Sequence, residues 1–140
     1  MATYVKFNQF VEDLAEKVHN LGSDTLTIAL TAAANAPVAS NTILGNLTQI
    51  SYTNCSARAI TTTSSAQTSG TYKLILQDLT LTASGGTVGP FRYVVVYNDT
   101  PTSPADPLVA YYDYGSEITL QSGETFTIDF DGTNGFLQLA

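Results

Sequence analysis

The chain has 140 residues and a formal charge of −7, and only 12% of its residues are charged, about half the usual ~25%. Its polarity comes from hydroxyls, with 21 Thr and 11 Ser, while 44% of the residues are apolar. This excludes a charged disordered tail, a coiled coil and a long solvated helix, and it suits short strands that tolerate β-branched residues.

The first predicted element is an amphipathic helix over 7–21. Phe7, Phe10, Val11, Leu14, Val18 and Leu21 fall on one stripe about 100° wide. Gln9, Glu12, Asp13, Glu16 and Asn20 take the other side, together with His19. Asn8 is the expected N-cap, Asp13 and Lys17 the expected i,i+4 pair, and Gly22 the expected C-terminal stop. From Leu26 to Leu30 the period changes to two, which predicts a half-buried strand. The stretch Thr31 to Asn46 reads as a loop. Further strands are expected around Gln49–Tyr52 and Ala57–Thr63, and the run from Thr62 to Gly70 reads as a turn or loop.

Stronger strands follow at Tyr72–Gln77 and Leu79–Thr82. In the next one Phe91, Tyr93, Val95 and Tyr97 are expected on one face. Val94 and Val96 between them are apolar too, so that strand should be buried on both sides. Pro101, Pro104 and Pro107 exclude regular structure before Leu108–Tyr114. Within that segment Tyr112 and Tyr114 share a face and Tyr111 points the opposite way. Ile118–Leu120 and Phe126–Phe130 predict a hairpin, and Phe136–Leu139 the last strand. The expected fold is mainly β, an antiparallel β-sandwich of jelly-roll type with one N-terminal helix, in a single domain over 1–140.

No catalytic, cofactor or metal constellation emerges. His19 is the only histidine and lies on the polar side of the predicted helix, and Cys55, the single cysteine, reads as a packed thiol. Asp129 and Asp131 superficially suggest a calcium loop, but Asn134 stands where an EF-hand requires glycine. They read instead as the exposed alternates of a strand. The basic residues Lys6, Lys17, Arg58, Lys73 and Arg92 are scattered singly, which argues against a nucleic-acid partner and an anionic membrane. No apolar run approaches the ~18 residues of a membrane span. The missing secretory pattern and lone cysteine imply synthesis in a reducing cytoplasm.

Three stretches carry a resemblance: FVEDLAEKVHNLGSDTLTIALT (10–31), GTVGPFRYVVVYNDTPTSPADPLVAYYDYG (86–115) and SGETFTIDFDGTNG (122–135). Together with SAQTSGTYKLIL (65–76) they resemble small structural proteins of tailed bacteriophages, most closely the jelly-roll head decoration, or cement, proteins. The resemblance implies a non-enzymatic virion protein on the capsid exterior, with the major capsid protein as its partner and no cofactor. A tail or fibre β module that binds receptor or carbohydrate is the alternative. Apolar residues on both faces of consecutive strands leave surplus surface. A homo-oligomer, dimer or trimer, is therefore expected, with Tyr93, Tyr97, Tyr111, Tyr112 and Tyr114 in the oligomer or capsid contact. The competing expectation is that the helix or the loop 98–107 covers that second face within one chain.

Overall fold

The computed structural model describes residues 2–140. Its elements in chain order are β1 (Thr3–Lys6), α1 (Asn8–Ala15), β2 (Leu26–Thr31), β3 (Thr62–Thr68), β4 (Thr71–Leu76), β5 (Leu79–Thr82), β6 (Val88–Asn98), β7 (Leu108–Leu120), β8 (Thr125–Ile128) and β9 (Leu137–Leu139). Every pairing between these strands is antiparallel. A four-stranded sheet in the order β1-β7-β6-β2 faces a second layer made of β3-β4-β9 and β5-β8. The protein is mainly β, with one short helix, and its layers meet as a sandwich.

The main core lies between the layers. Ile28 and Leu30 of β2, Val94 and Val96 of β6 and Ala110 of β7 pack against Leu74, Leu76, Leu81 and Ile128 of the second layer. Phe130 and Phe136 close one side, and Phe10 and Leu21 another. The other face of the four-stranded sheet is buried as well, since Ala29, Val95, Tyr97 and Leu108 form a second cluster with Phe7. Leu44 and Leu47, from the irregular segment after β2, pack on this cluster. That segment is held by Leu44 N–H donating to Asp106 O at 2.9 Å and Leu108 N–H donating to Thr42 O at 3.0 Å. The central strand is thus buried on both sides, as its unbroken apolar run requires. The cover comes from residues 42–47 and from Phe7, the first residue of the predicted stripe, and not from the rest of that stripe.

The helix is shorter than its periodicity predicts, because Lys17 adopts a left-handed conformation (φ 68). Val18 N–H then donates to Asp13 O and Lys17 N–H to Leu14 O, which together form a Schellman end five residues before Gly22. Asn8 is the first helical residue rather than the cap, and Phe7 stands at the N-cap without a side-chain bond. The stripe splits in consequence. Val11 is 53% exposed and Val18 half-buried, while Asp13 and His19, expected on the polar side, are buried.

Three other expectations change. Residues 49–61 form no strand but lie along the open edge of β2, with Ile50 N–H donating to Leu30 O, Ile28 N–H to Arg58 O and Ile60 N–H to Leu26 O. They cover an edge that would otherwise invite pairing. The polar run 62–68 is strand β3, paired to β4 through a tight turn in which Ser69 and Gly70 both have positive φ, the signature of a type I′ hairpin. Finally, β8 pairs with β5 and not with β7, so the expected hairpin is a crossing between layers.

Candidate contact groove

Past its middle, β7 extends beyond the end of β1, and its inward-facing side chains meet β8 of the other layer. The result is a groove of about 320 Å³ lined by Val94, Tyr112, Tyr114, Phe126, Ile128 and Asp129, together with Thr127 and Ala2. Alternation places Tyr112 and Tyr114 on this side and Tyr111 on the other. The rings brace one another edge to face. Tyr114 and Phe126 lie 5.5 Å apart at 68°, Phe126 and Phe91 5.2 Å apart at 85°, and Tyr112 and Tyr4 5.4 Å apart at 62°. Such pairs stabilise by about 0.5–1.5 kcal/mol beyond their area. Tyr114 remains 46% exposed and Tyr4 40%. Burial pushes the Tyr4 phenol up to about 12 and raises that of Tyr112 as well. These hydroxyls stay protonated at neutral pH, leaving Asp129 as the charge that lines the groove.

The predicted contact tyrosines do not form one surface. Tyr93 and Tyr97 are largely buried within the chain, 8% and 5% exposed, on the opposite face of the sheet. Tyr111 is half-buried on that same side, 5.2 Å from the ring of Phe7. A bidentate pair closes this face, with Arg92 Nε donating to Asp113 Oδ1 at 2.8 Å and Nη2 to Oδ2 at 3.1 Å. The hydrogen bonds from Arg92 hold the Asp113 carboxyl below its usual range. Phe91, expected beside Tyr93, belongs to the inner core, because β6 shifts register between the two. Only Tyr112 and Tyr114 of the predicted set meet in the groove. Phe126 and Asp129 complete it, and no local pattern in the sequence links them to β7.

A buried polar cluster lies elsewhere, where the chain leaves α1. Asn98, wholly buried at the end of β6, accepts Thr100 N–H at 3.1 Å through Oδ1. Its amide therefore donates to Asp24 Oδ2 at 2.6 Å and to His19 Nδ1 at 3.0 Å. With Nδ1 accepting, the imidazole proton must sit on Nε2, which is buried without a partner among the described residues. His19 also shares a cleft with Ser65 and Tyr72, which brings together the residue types of a serine-histidine-acid set. The proton placement is the reverse of what that chemistry needs, since a general base must keep Nε2 free and donate from Nδ1. Ser65 Oγ is engaged instead with Tyr72 Oη at 2.7 Å.

Burial pushes the His19 pKa below its usual 6.5, against the opposing pull of Asp13 and Asp24. Above about pH 6.5 the ring is neutral folded and unfolded, and it contributes no pH dependence. Below that, the unfolded chain takes up a proton that the folded chain refuses, so stability falls until the folded-state pKa is reached. Urea midpoints measured from about pH 7.5 down to about pH 5 should decline, and His19→Gln should flatten the decline. An equal slope in that variant would show that His19 is not its source.

Asp129 and Asp131 are both exposed. Asp131 is committed to a turn, with Oδ1 accepting the N–H groups of Thr133 and Asn134 at 2.8 Å each and Oδ2 accepting Asn134 Nδ2 at 3.0 Å. Among the described residues no cluster of three or more metal-ligating side chains occurs, and no helix is long and apolar enough to cross a membrane. Compared with protein-family models, curated proteins and solved structures, the chain matches none.

Proposed function

We propose that the chain is a virion structural protein of a tailed bacteriophage, a jelly-roll decoration protein that stabilises the head from outside. Its contact surface is the groove around Tyr112 and Tyr114, facing the major capsid protein or a second copy of the chain. The observation that carries this reading is the half-open aromatic cluster of Tyr4, Tyr112, Tyr114 and Phe126, on a protein whose other apolar sheet face is already covered by its own chain. Exposed aromatics rimmed by polar groups usually mark a partner surface, and tyrosine loses little side-chain entropy on docking. The resemblance of residues 10–31, 65–76, 86–115 and 122–135 to phage structural proteins supports a role in the virion, with the head exterior as the place the decoration proteins suggest.

A tail or fibre module is the second reading. It is favoured by a polar cleft of about 680 Å³ over β3, β4 and the turn before β9, where Ser64, Thr68, Thr71, Asn134 and Gln138 offer hydroxyls and amides to a sugar. Gold-labelled antibody on purified virions should mark the head under the first reading and the tail under the second. For the contact itself, Tyr114→Ala should weaken co-sedimentation with undecorated capsids at least about tenfold, because it removes a large aromatic contact from the interface. The far-ultraviolet spectrum should stay unchanged, and the melting temperature should fall by only a few degrees, as loss of the Tyr114–Phe126 ring pair implies. Full retention of binding would remove the groove from the contact.

A further inference from the structure

We infer that the aromatic groove is built to receive a cationic side chain, a lysine or arginine presented by the partner. The inference rests on the contact role given to the groove above. The walls are Tyr112, Tyr114 and Phe126, and Asp129 lines the same cavity without an ion-pair partner among the described residues. An ammonium or guanidinium group within about 6 Å of a ring centroid is attracted to its face, and a carboxylate in the same cavity adds charge complementarity. A purely apolar occupant would strip water from Asp129 and return nothing to it. Asp131 adds a second negative charge nearby, close enough to help raise the Tyr112 phenol.

Three of the chain's five lysines and arginines are engaged elsewhere among the described residues. Arg92 is paired with Asp113, the Arg58 guanidinium stacks 3.7 Å from the centre of the Tyr52 ring, and Lys73 Nζ donates to Thr133 O at 3.2 Å. With a net charge of −7, a basic partner is also the one that long-range attraction brings in fastest.

The test needs no capsid. Isotope-labelled protein is titrated with N-acetyl-arginine methylamide, and in parallel with its norleucine counterpart of similar length. Saturable shifts confined to Tyr112, Tyr114, Phe126, Thr127 and Asp129 are expected for the arginine compound. The norleucine compound should bind at least about tenfold more weakly, and Asp129→Asn should reduce the arginine affinity about threefold to tenfold. Equal binding of the two compounds, shifts scattered over the surface, or no saturation by the arginine compound would overturn the inference. If Asp129→Asn proved unfolded, the comparison of the two ligands on the unmodified protein would still decide. Capsid co-sedimentation that survives a negative titration would sink this inference and leave the decoration role standing.

Discussion

Phe7→Ala should cost about 3–5 kcal/mol, the range for deleting a fully buried phenylalanine. Phe7 has no exposed surface and closes the cluster of Ala29, Val95, Tyr97 and Leu108 on the outer face of the four-stranded sheet. Its ring lies 5.2 Å from Tyr111, and its N–H donates to Val109 O at 3.1 Å, which fixes the chain between β1 and α1. Val11→Ala, by contrast, should change the denaturation midpoint by less than about 0.5 kcal/mol, because Val11 is 53% exposed. The pair tests the architecture directly. Equal effects at the two positions would restore the six-residue helix stripe read from the sequence, and a small effect at Phe7 would mean that the outer face is open.

Asn98→Ala should cost about 2–4 kcal/mol. Its amide is the one hydrogen-bond partner of His19 Nδ1 among the described residues and one of two donors to Asp24 Oδ2, the other being Asn20 N–H at 2.8 Å. Removing it leaves the buried His19 Nδ1 without its partner and takes one partner each from the half-buried Asp24 carboxylate and from Thr100 N–H. The segment after α1 and the start of the proline-rich loop would both lose their anchor to β6. Because His19 and Asn98 share one network, His19→Ala and Asn98→Ala should be non-additive by about 1 kcal/mol or more in urea unfolding. Strict additivity would show that the two side chains are adjacent without being coupled.

Several features were legible from short-range pattern. The alternation in Leu26–Thr31 marks a strand, although both of its faces are buried. The unbroken run from Tyr93 to Tyr97 correctly marks the strand covered on both sides. Alternation in β7 also separates Tyr111 from Tyr112 and Tyr114. The run 62–70 reads as a turn or loop throughout, but only Ser69 and Gly70 turn; residues 62–68 carry so little apolar content that β3 is defined by its pairing with β4 rather than by burial. The helix end was misplaced because Lys17, with no sequence signal for it, takes the left-handed position that Gly22 seemed to offer.

What the sequence by itself determined is the alternation along each strand, and so which side chains point the same way. That follows from the two-residue period of an extended chain and needs no partner. The tertiary structure alone decided what each face meets. Phe7 and Leu44 close a face whose strands lie far along the chain, and His19 finds Asn98 across 79 residues. The groove exists only because β7 and β8 belong to different sheets, which brings Phe126 and Asp129 up to Tyr112 and Tyr114. Local periodicity reports that an apolar face must be buried. The choice of cover depends on which distant segments can close over it at the least cost in chain entropy and unpaired backbone, and neither quantity is written in any short window of residues.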